Sequence, residues 1–123
     1  MFPIKRHVVK YPAPATFPDL PTKQARCVGQ MHYLSDKERD KLDVHTVVIV
    51  RDTLNPVDSD NALAVLRHDG RKLGYLSSAQ AKAYAPTIES LGALEVPCRV
   101  EGSRLWIDLP TLPAIKKAVA LTA

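Results

Sequence analysis

Asn55-Pro56-Val57-Asp58-Ser59-Asp60-Asn61-Ala62-Leu63-Ala64-Val65 is the stretch on which the reading of this chain turns. It separates one apolar run, Val47-Val48-Ile49-Val50, from another, Leu73-Gly74-Tyr75-Leu76. Its polar and turn-forming residues are too many for a two-residue hairpin turn. Asn and Asp side chains fold back onto their own backbone, and Pro56 fixes one φ angle. The stretch therefore reads as a longer ordered loop that presents amides and carboxylates at a rigid rim.

Strand signals lie on both sides of it. Upstream, residues 44–51 are β-rich and almost continuously apolar, which fits a central strand buried on both faces. Residues 25–33 read as the first core strand, with Gly29 marking a bulge or a close backbone approach. Between them lies Ser35-Asp36-Lys37-Glu38-Arg39-Asp40-Lys41, wholly polar, with Ser35 and Glu38 at capping-box spacing. A helical turn and an exposed loop fit it equally well. Downstream, residues 62–67 and 71–76 form a strand pair about His68-Asp69-Gly70. Ser77 and Gln80 start a helix that Pro86 interrupts; a further turn, 87–91, stops at Gly92. Residues 93–100 and 104–109 read as a last hairpin, in which Pro97 argues for an edge or a bulge. A C-terminal helix follows Pro110, with Leu112, Ile115, Val119 and Leu121 on one face. Six short strands with an internal and a C-terminal helix predict a mostly β fold, a small antiparallel barrel or rolled sheet.

Before residue 24 the character changes. Pro3, Pro12, Pro14, Pro18 and Pro21 bias residues 1–23 to extended conformation. Phe2, Ile4, Val8, Val9, Tyr11, Phe17 and Leu20 punctuate it, more apolar residues than a disordered linker carries. The expected organisation is a Pro-rich basic extension, 1–23, partly docked on the body or on a partner, and one domain, 24–123. The net charge of +4 also sits at this end. Lys5, Arg6, Lys10, Lys23 and Arg26 face only Asp19, leaving twelve basic and twelve acidic residues in the remainder. The body is thus no uniformly basic clamp, while the extension can add phosphate affinity.

A chain of 123 residues suffices for one core without disulfides or metals. No apolar run reaches the roughly 20 residues of a membrane span. Pro3, Lys5, Arg6 and His7 break up the start, so no signal-peptide apolar region is expected and the cytoplasm is the default compartment. Cys27 and Cys98 fit that compartment as buried reduced thiols. Motifs of established chemistry (CxxC, HExxH, GxSxG, a phosphate-binding glycine loop) do not occur. His7, His32, His45 and His68 lack ligand spacing. Asp52, Asp58 and Asp60 have the hard oxygen donors a Mg²⁺ ion takes, although turn-forming aspartates explain them too.

Several of these pieces together resemble a known family. Val28-Gly29-Gln30-Met31-His32-Tyr33, then Asn55-Pro56-Val57-Asp58 with Asn61-Ala62-Leu63-Ala64-Val65, then Gly74-Tyr75-Leu76 are similar, in order and spacing, to a HIRAN domain over about residues 25–101. That family occurs in fork-remodelling helicases of the helicase-like transcription factor type and as small stand-alone bacterial proteins. The resemblance implies an OB-like β-barrel with added helices. It implies binding of single-stranded DNA with capture of a free 3′-hydroxyl, in a DNA-processing or repair setting. A basic residue and two aromatics follow the family's Val-Gly; here those positions are Met31, His32 and Tyr33. In the family's Asn-Pro-aromatic-Asp loop, Asn55 and Asp58 match and Val57 replaces the aromatic. One additional residue before Asn61 makes Asp60 a rival of Asp58 for the terminal hydroxyl. Tyr75 matches a pocket wall. Ser78 or a neighbour stands where the family carries a lysine, and Arg71 and Lys72 offer compensating charge.

The resulting expectation is a non-enzymatic DNA-end or single-strand binding module. His32, Tyr33, Asn55, Asp58, Asp60 and Tyr75 form its pocket, with Arg71, Lys72 and the basic extension on phosphates. It needs no cofactor or metal and no membrane, and it works beside a helicase, a nuclease or another DNA-processing protein. Two alternatives stand beside it. One is a protein-interaction module using the Pro-rich extension or an edge strand. The other is a metal-dependent nuclease, or nuclease accessory, using Asp52, Asp58 and Asp60.

Overall fold

A computed structural model describes residues 8–55 and 57–122, without the side chains of Met31 and Thr122. Phe2, Pro3, Ile4, Lys5, Arg6, His7 and Pro56, and the Met31 side chain, on which the sequence reading also drew, lie outside the described residues. Two short strands come first, β1 (Ala15–Thr16) and β2 (Thr22–Arg26). A helical turn (Gln30–His32) and α1 (Asp36–Asp40) lead to β3 (Thr46–Arg51), β4 (Leu63–Leu66) and β5 (Lys72–Tyr75). Then follow α2 (Ser78–Leu91), β6 (Leu94–Glu101), β7 (Arg104–Pro110) and α3 (Leu112–Thr122). The sheet runs β2-β7-β6-β3-β4-β5, antiparallel throughout, and β1 adds to β6 in parallel. The fold is mostly β with three α-helices and agrees with an OB-like barrel.

The rolled sheet closes where its two end strands meet. Val28, just past β2, exchanges two 2.8 Å backbone hydrogen bonds with Tyr75 at the end of β5. Gly74 permits this contact: a Cβ there would stand 2.5 Å from the Val28 carbonyl oxygen and 2.6 Å from Cys27 Sγ. The close backbone approach expected at Gly29 thus belongs to Gly74. Gly29 has φ +76° and turns the chain into the Gln30–His32 helical turn. The strand expected over 25–33 therefore ends at Arg26.

β3 is buried on both faces, as its apolar continuity requires. Val47 and Ile49 enter the main core with Leu63, Val65, Leu94 and Ile107. Val48 and Val50 enter a smaller cluster with Ala64, Leu66 and Ala93. Val9 and Tyr11 pack on the smaller cluster, and Phe17 and Leu20 on the main one. The segment from Val8 to Leu20 accordingly lies on the body, held by Val9 N–H to Gly70 C=O (2.8 Å) and by the Tyr11 hydroxyl to His68 C=O (2.5 Å). Part of the Pro-rich extension is therefore sheet and core cover, which adds strands the sequence pattern did not show.

Three other expectations are corrected. Pro86 does not interrupt a helix: α2 runs on from its Ser77 cap to Gly92, where φ is +85°. Ala81, Tyr84 and Ala85 before the proline and Ile88 after it are all buried in the core, and this packing outweighs the lost hydrogen bond. Pro97 marks the place where β6 changes partners. Residues 94–97 pair with β3, and residues 98–101 pair with β7. In α3, Ile115 is buried and Leu112 and Val119 pack against the core, but Leu121 faces solvent. At α1, the capping box forms with both bonds at 3.1 Å, which settles the polar segment as a short helix.

Candidate functional site

The loop after β3 is built by its own side chains. Asn55 Oδ1 accepts the N–H groups of Val57 (2.8 Å) and Asp58 (2.9 Å). Asp52 Oδ1 accepts the Leu54 N–H at 3.1 Å. The Asp58 carbonyl receives the Ala62 N–H at 2.9 Å, while its carboxylate takes a long 3.4 Å bond from the Asn61 amide. From inside, Arg51 donates to the carbonyls of Ser59 and Ala62, both at 2.7 Å. With Asp52, Asn55, Asp58 and Asn61 engaged in this way, the loop holds Leu54 and Val57 out at 90% and 92% exposure.

Between this loop and the Gly29–Tyr33 turn lies a cleft of about 740 Å³, within the size range of ligand pockets. His32, Tyr33, Asp52, Asn55, Lys72 and Tyr75 line it, along with Arg51, Leu54, Val57 and the backbone turn at Gly29. The floor is a polar network. Lys72 Nζ donates to Asp52 Oδ2 and to the Tyr75 hydroxyl, both at 2.9 Å. The Tyr75 hydroxyl donates to the same Asp52 oxygen at 2.5 Å, and the Tyr33 hydroxyl donates to Tyr75 at 3.3 Å. The Tyr33 and Tyr75 rings meet edge-on, 5.8 Å apart, and Lys72 Nζ lies 5.4 and 5.0 Å from their centroids. His32 extends the aromatic edge, 6.5 Å from Tyr33.

This arrangement sets the charge of the floor. Burial raises the Asp52 carboxyl, but the bonds from Tyr75 and Lys72, the lysine charge and the Leu54 N–H outweigh it. Asp52 is thereby held below its ordinary value and stays ionised. Burial also raises the Tyr75 phenol, and its bond to Asp52 raises it further, against opposing bonds from Tyr33 and Asn55. The phenol therefore remains a protonated donor at neutral pH.

The other expected site residues sit differently. Arg71 is beside the cleft, not in its lining. It donates to Glu38 Oε2 at 2.5 Å and to the Tyr33 carbonyl at 2.9 Å, and so holds Tyr33 against α1. That bond from Arg71, with the Ser35 N–H, brings Glu38 down to about 2. Asp58 is half-buried and Asp60 exposed, and neither lines the cleft. Asp52, Asp58 and Asp60 are not gathered for a metal: among the described residues no three His, Cys, Asp or Glu side chains come together as a metal site. Cys27 and Cys98 are free and buried, with burial pushing their thiols up to about 12 and 11; both stay protonated and unreactive.

Asp52 was legible only as a possible metal ligand, because nothing in the sequence pairs it with Lys72. Arg51, Leu54 and the strap residues Val8 and Val9 also line the cleft. Leu54 has a local signal, a large apolar residue inside a turn-rich loop, whereas Val8 and Val9 have none.

The fold and site thus combine a rolled β-barrel with an aromatic-walled cleft and a buried Lys–Asp pair at its floor. The HIRAN domain model matches residues 21–109, and the chain belongs to the HIRAN domain family. HIRAN domains are known as DNA-binding modules, generally without enzymatic activity. No curated protein and no solved structure gives a significant match to the chain. Among the described residues no helix is long and apolar enough to cross a membrane.

Proposed function

We propose that the cleft takes the 3′ end of a DNA single strand, with the terminal base against His32, Tyr33 and Tyr75. The observation that carries this reading is the floor itself: one ionised carboxylate, Asp52, surrounded by donors and aromatic edges at the bottom of a cleft. A carboxylate offers about four acceptor positions, and the bonds from Lys72, Tyr75 and Leu54 use three of them. The fourth suits a hydroxyl donor. We therefore assign the terminal hydroxyl to Asp52 in place of Asp58 or Asp60, which stand outside the lining. Asn55 shapes the loop wall. Lys72, with its charge largely answered by Asp52, steers the penultimate phosphate weakly, and Arg71 acts by holding Tyr33. A helicase, nuclease or other DNA-processing protein would supply the strand end.

Fluorescence anisotropy with a short single strand ending in a 3′-hydroxyl or a 3′-phosphate tests this at two salt concentrations. Tighter binding of the hydroxyl end, by tenfold or more, is expected, because a phosphate brings about −1.5 to −2 charges next to Asp52. Asp52→Asn should erase that preference and Asp58→Asn should keep it. Equal binding of both ends that collapses with salt would leave only sequence-independent phosphate attraction and overturn the reading.

A further inference from the structure

Exposed large apolar side chains are few in this protein, and they are not scattered. Among the described residues they are Val8, Val28, Leu54, Val57 and Leu121. Three of the five, Val8, Leu54 and Val57, line the cleft. Leu54 and Val57 come from the loop after β3. Val8 comes from the N-terminal strap, which lies outside the span that matches the family, residues 21–109.

The strap is held in place by built contacts. Val8 forms an antiparallel bridge with Arg71, one residue before β5. Val9 donates its N–H to Gly70 at 2.8 Å, and Tyr11 reaches the His68 carbonyl. Val9 and Tyr11 turn onto the smaller apolar cluster, while Val8 and Lys10 stay exposed. Gly70 makes the fit possible: it has φ +89°, and a Cβ there would stand 2.4 Å from the Val9 carbonyl oxygen. Covering an exposed valine is favourable, and here the strap presents one to the same cleft as the loop's two.

We infer that the strap is one jaw of a two-sided apolar clamp, with Val8 on the strap and Leu54 and Val57 on the loop, which grips nucleobases of the strand whose end lies in the cleft. This rests on the DNA-end reading above. The occupant is a single strand because nucleobases offer flat apolar faces, and thymine a methyl group, to aliphatic side chains. The exposed Lys10, two residues along from Val8, supplies a cation for the backbone. A strand-end reader whose family core begins at residue 21 thereby gains contacts to bases behind the terminal one.

The test uses the full chain and a ten-nucleotide oligothymidylate with a free 3′-hydroxyl, read by anisotropy. Val8→Ser removes the jaw's apolar face without touching the core. Gly70→Ala drives the strap off through the clash with Val9. Gly102→Ala is the control: it shares a positive φ, +61°, in a hairpin turn, but its Cβ meets nothing within 4 Å. Val8→Ser and Gly70→Ala are expected to weaken binding about three- to tenfold, and Gly102→Ala to leave it unchanged. Wild-type affinity retained by both strap variants would overturn the clamp while leaving the DNA-end reading intact. Tighter binding would overturn it as well, because the strap would then be a cover. Absence of oligothymidylate binding by the wild-type chain would overturn both.

Discussion

Asp52→Asn is the substitution with the most to say about the cleft floor. It keeps the side chain's shape and removes the charge beneath Lys72. In the native protein Lys72 Nζ lies 2.9 Å from Asp52 Oδ2, and the two side chains are only 7% and 13% exposed. At that distance and an effective dielectric of 20, the attraction is about 6 kcal/mol. Desolvation takes back several kcal/mol per ion, so the pair's net contribution is small, yet removing one partner from a buried pair costs about 3–5 kcal/mol. Asparagine keeps an acceptor for Tyr75 and Lys72, and the floor opens to the cleft, which lowers the expected loss to about 2–3 kcal/mol. Urea unfolding followed through Trp106, the single tryptophan, measures it. Lys72→Met and the double variant complete the cycle, with a coupling of about 1.5–3 kcal/mol expected. The pH dependence has a definite sign. Because the folded Asp52 carboxyl lies below its ordinary 3.8, its contribution is whole above that value and is lost as pH falls through the lower, folded one. The gap between wild type and Asp52→Asn should therefore close below about pH 4. A loss under about 1 kcal/mol at neutral pH would put the pair among solvated surface bridges and refute the reasoning.

Two further outcomes bear on the frame around the cleft. Gly74→Ala sets a Cβ against the Val28 carbonyl and Cys27 Sγ; overpacking and strained closure bonds should cost about 2–4 kcal/mol. Faster amide exchange confined to Val28 and Tyr75 would locate that cost at the seam, and unchanged exchange there would contradict the closure. Glu38, brought from 4.5 to about 2 by Arg71, should titrate near 2 by carbon-detected NMR. Its contribution is whole above 4.5 and disappears as pH falls toward 2, releasing Tyr33 from α1; a midpoint near 4.5 would mean that the pair does not form.

Much of the barrel could be read from local pattern, and the reasons are local. The unbroken apolar run at Val47–Val50 required burial on both faces, and β3 has a core on each side. Ser35 with Glu38, and Ser77 with Gln80, announced helix starts through bonds that span three residues. The Asn55–Asn61 loop was legible because Asn55 organises it through its own neighbours. Other features depend on partners far along the chain. Pro86 breaks a helix by its local chemistry, and only the packing of Tyr84, Ala85 and Ile88 in the core overrules it. Gly29 and Gly74 look alike in a strand pattern, but one turns the chain and the other lets Val28 close the barrel.

The site divides in the same way. His32, Tyr33, Asn55 and Tyr75 belong to short stretches whose order resembles the family, so the sequence alone already pointed to them. The pairing of Asp52 with Lys72 joins residues 20 positions apart, and neither residue's neighbours record it. The strap's place at the cleft joins Val8 and Val9 to Gly70 and Arg71, which only the folded chain brings together. Hydrogen bonds within a few residues leave their signature in residue types. Burial and charge pairing between distant segments do not, because many residue types satisfy the local backbone equally well and the rolled sheet alone decides which of them meet.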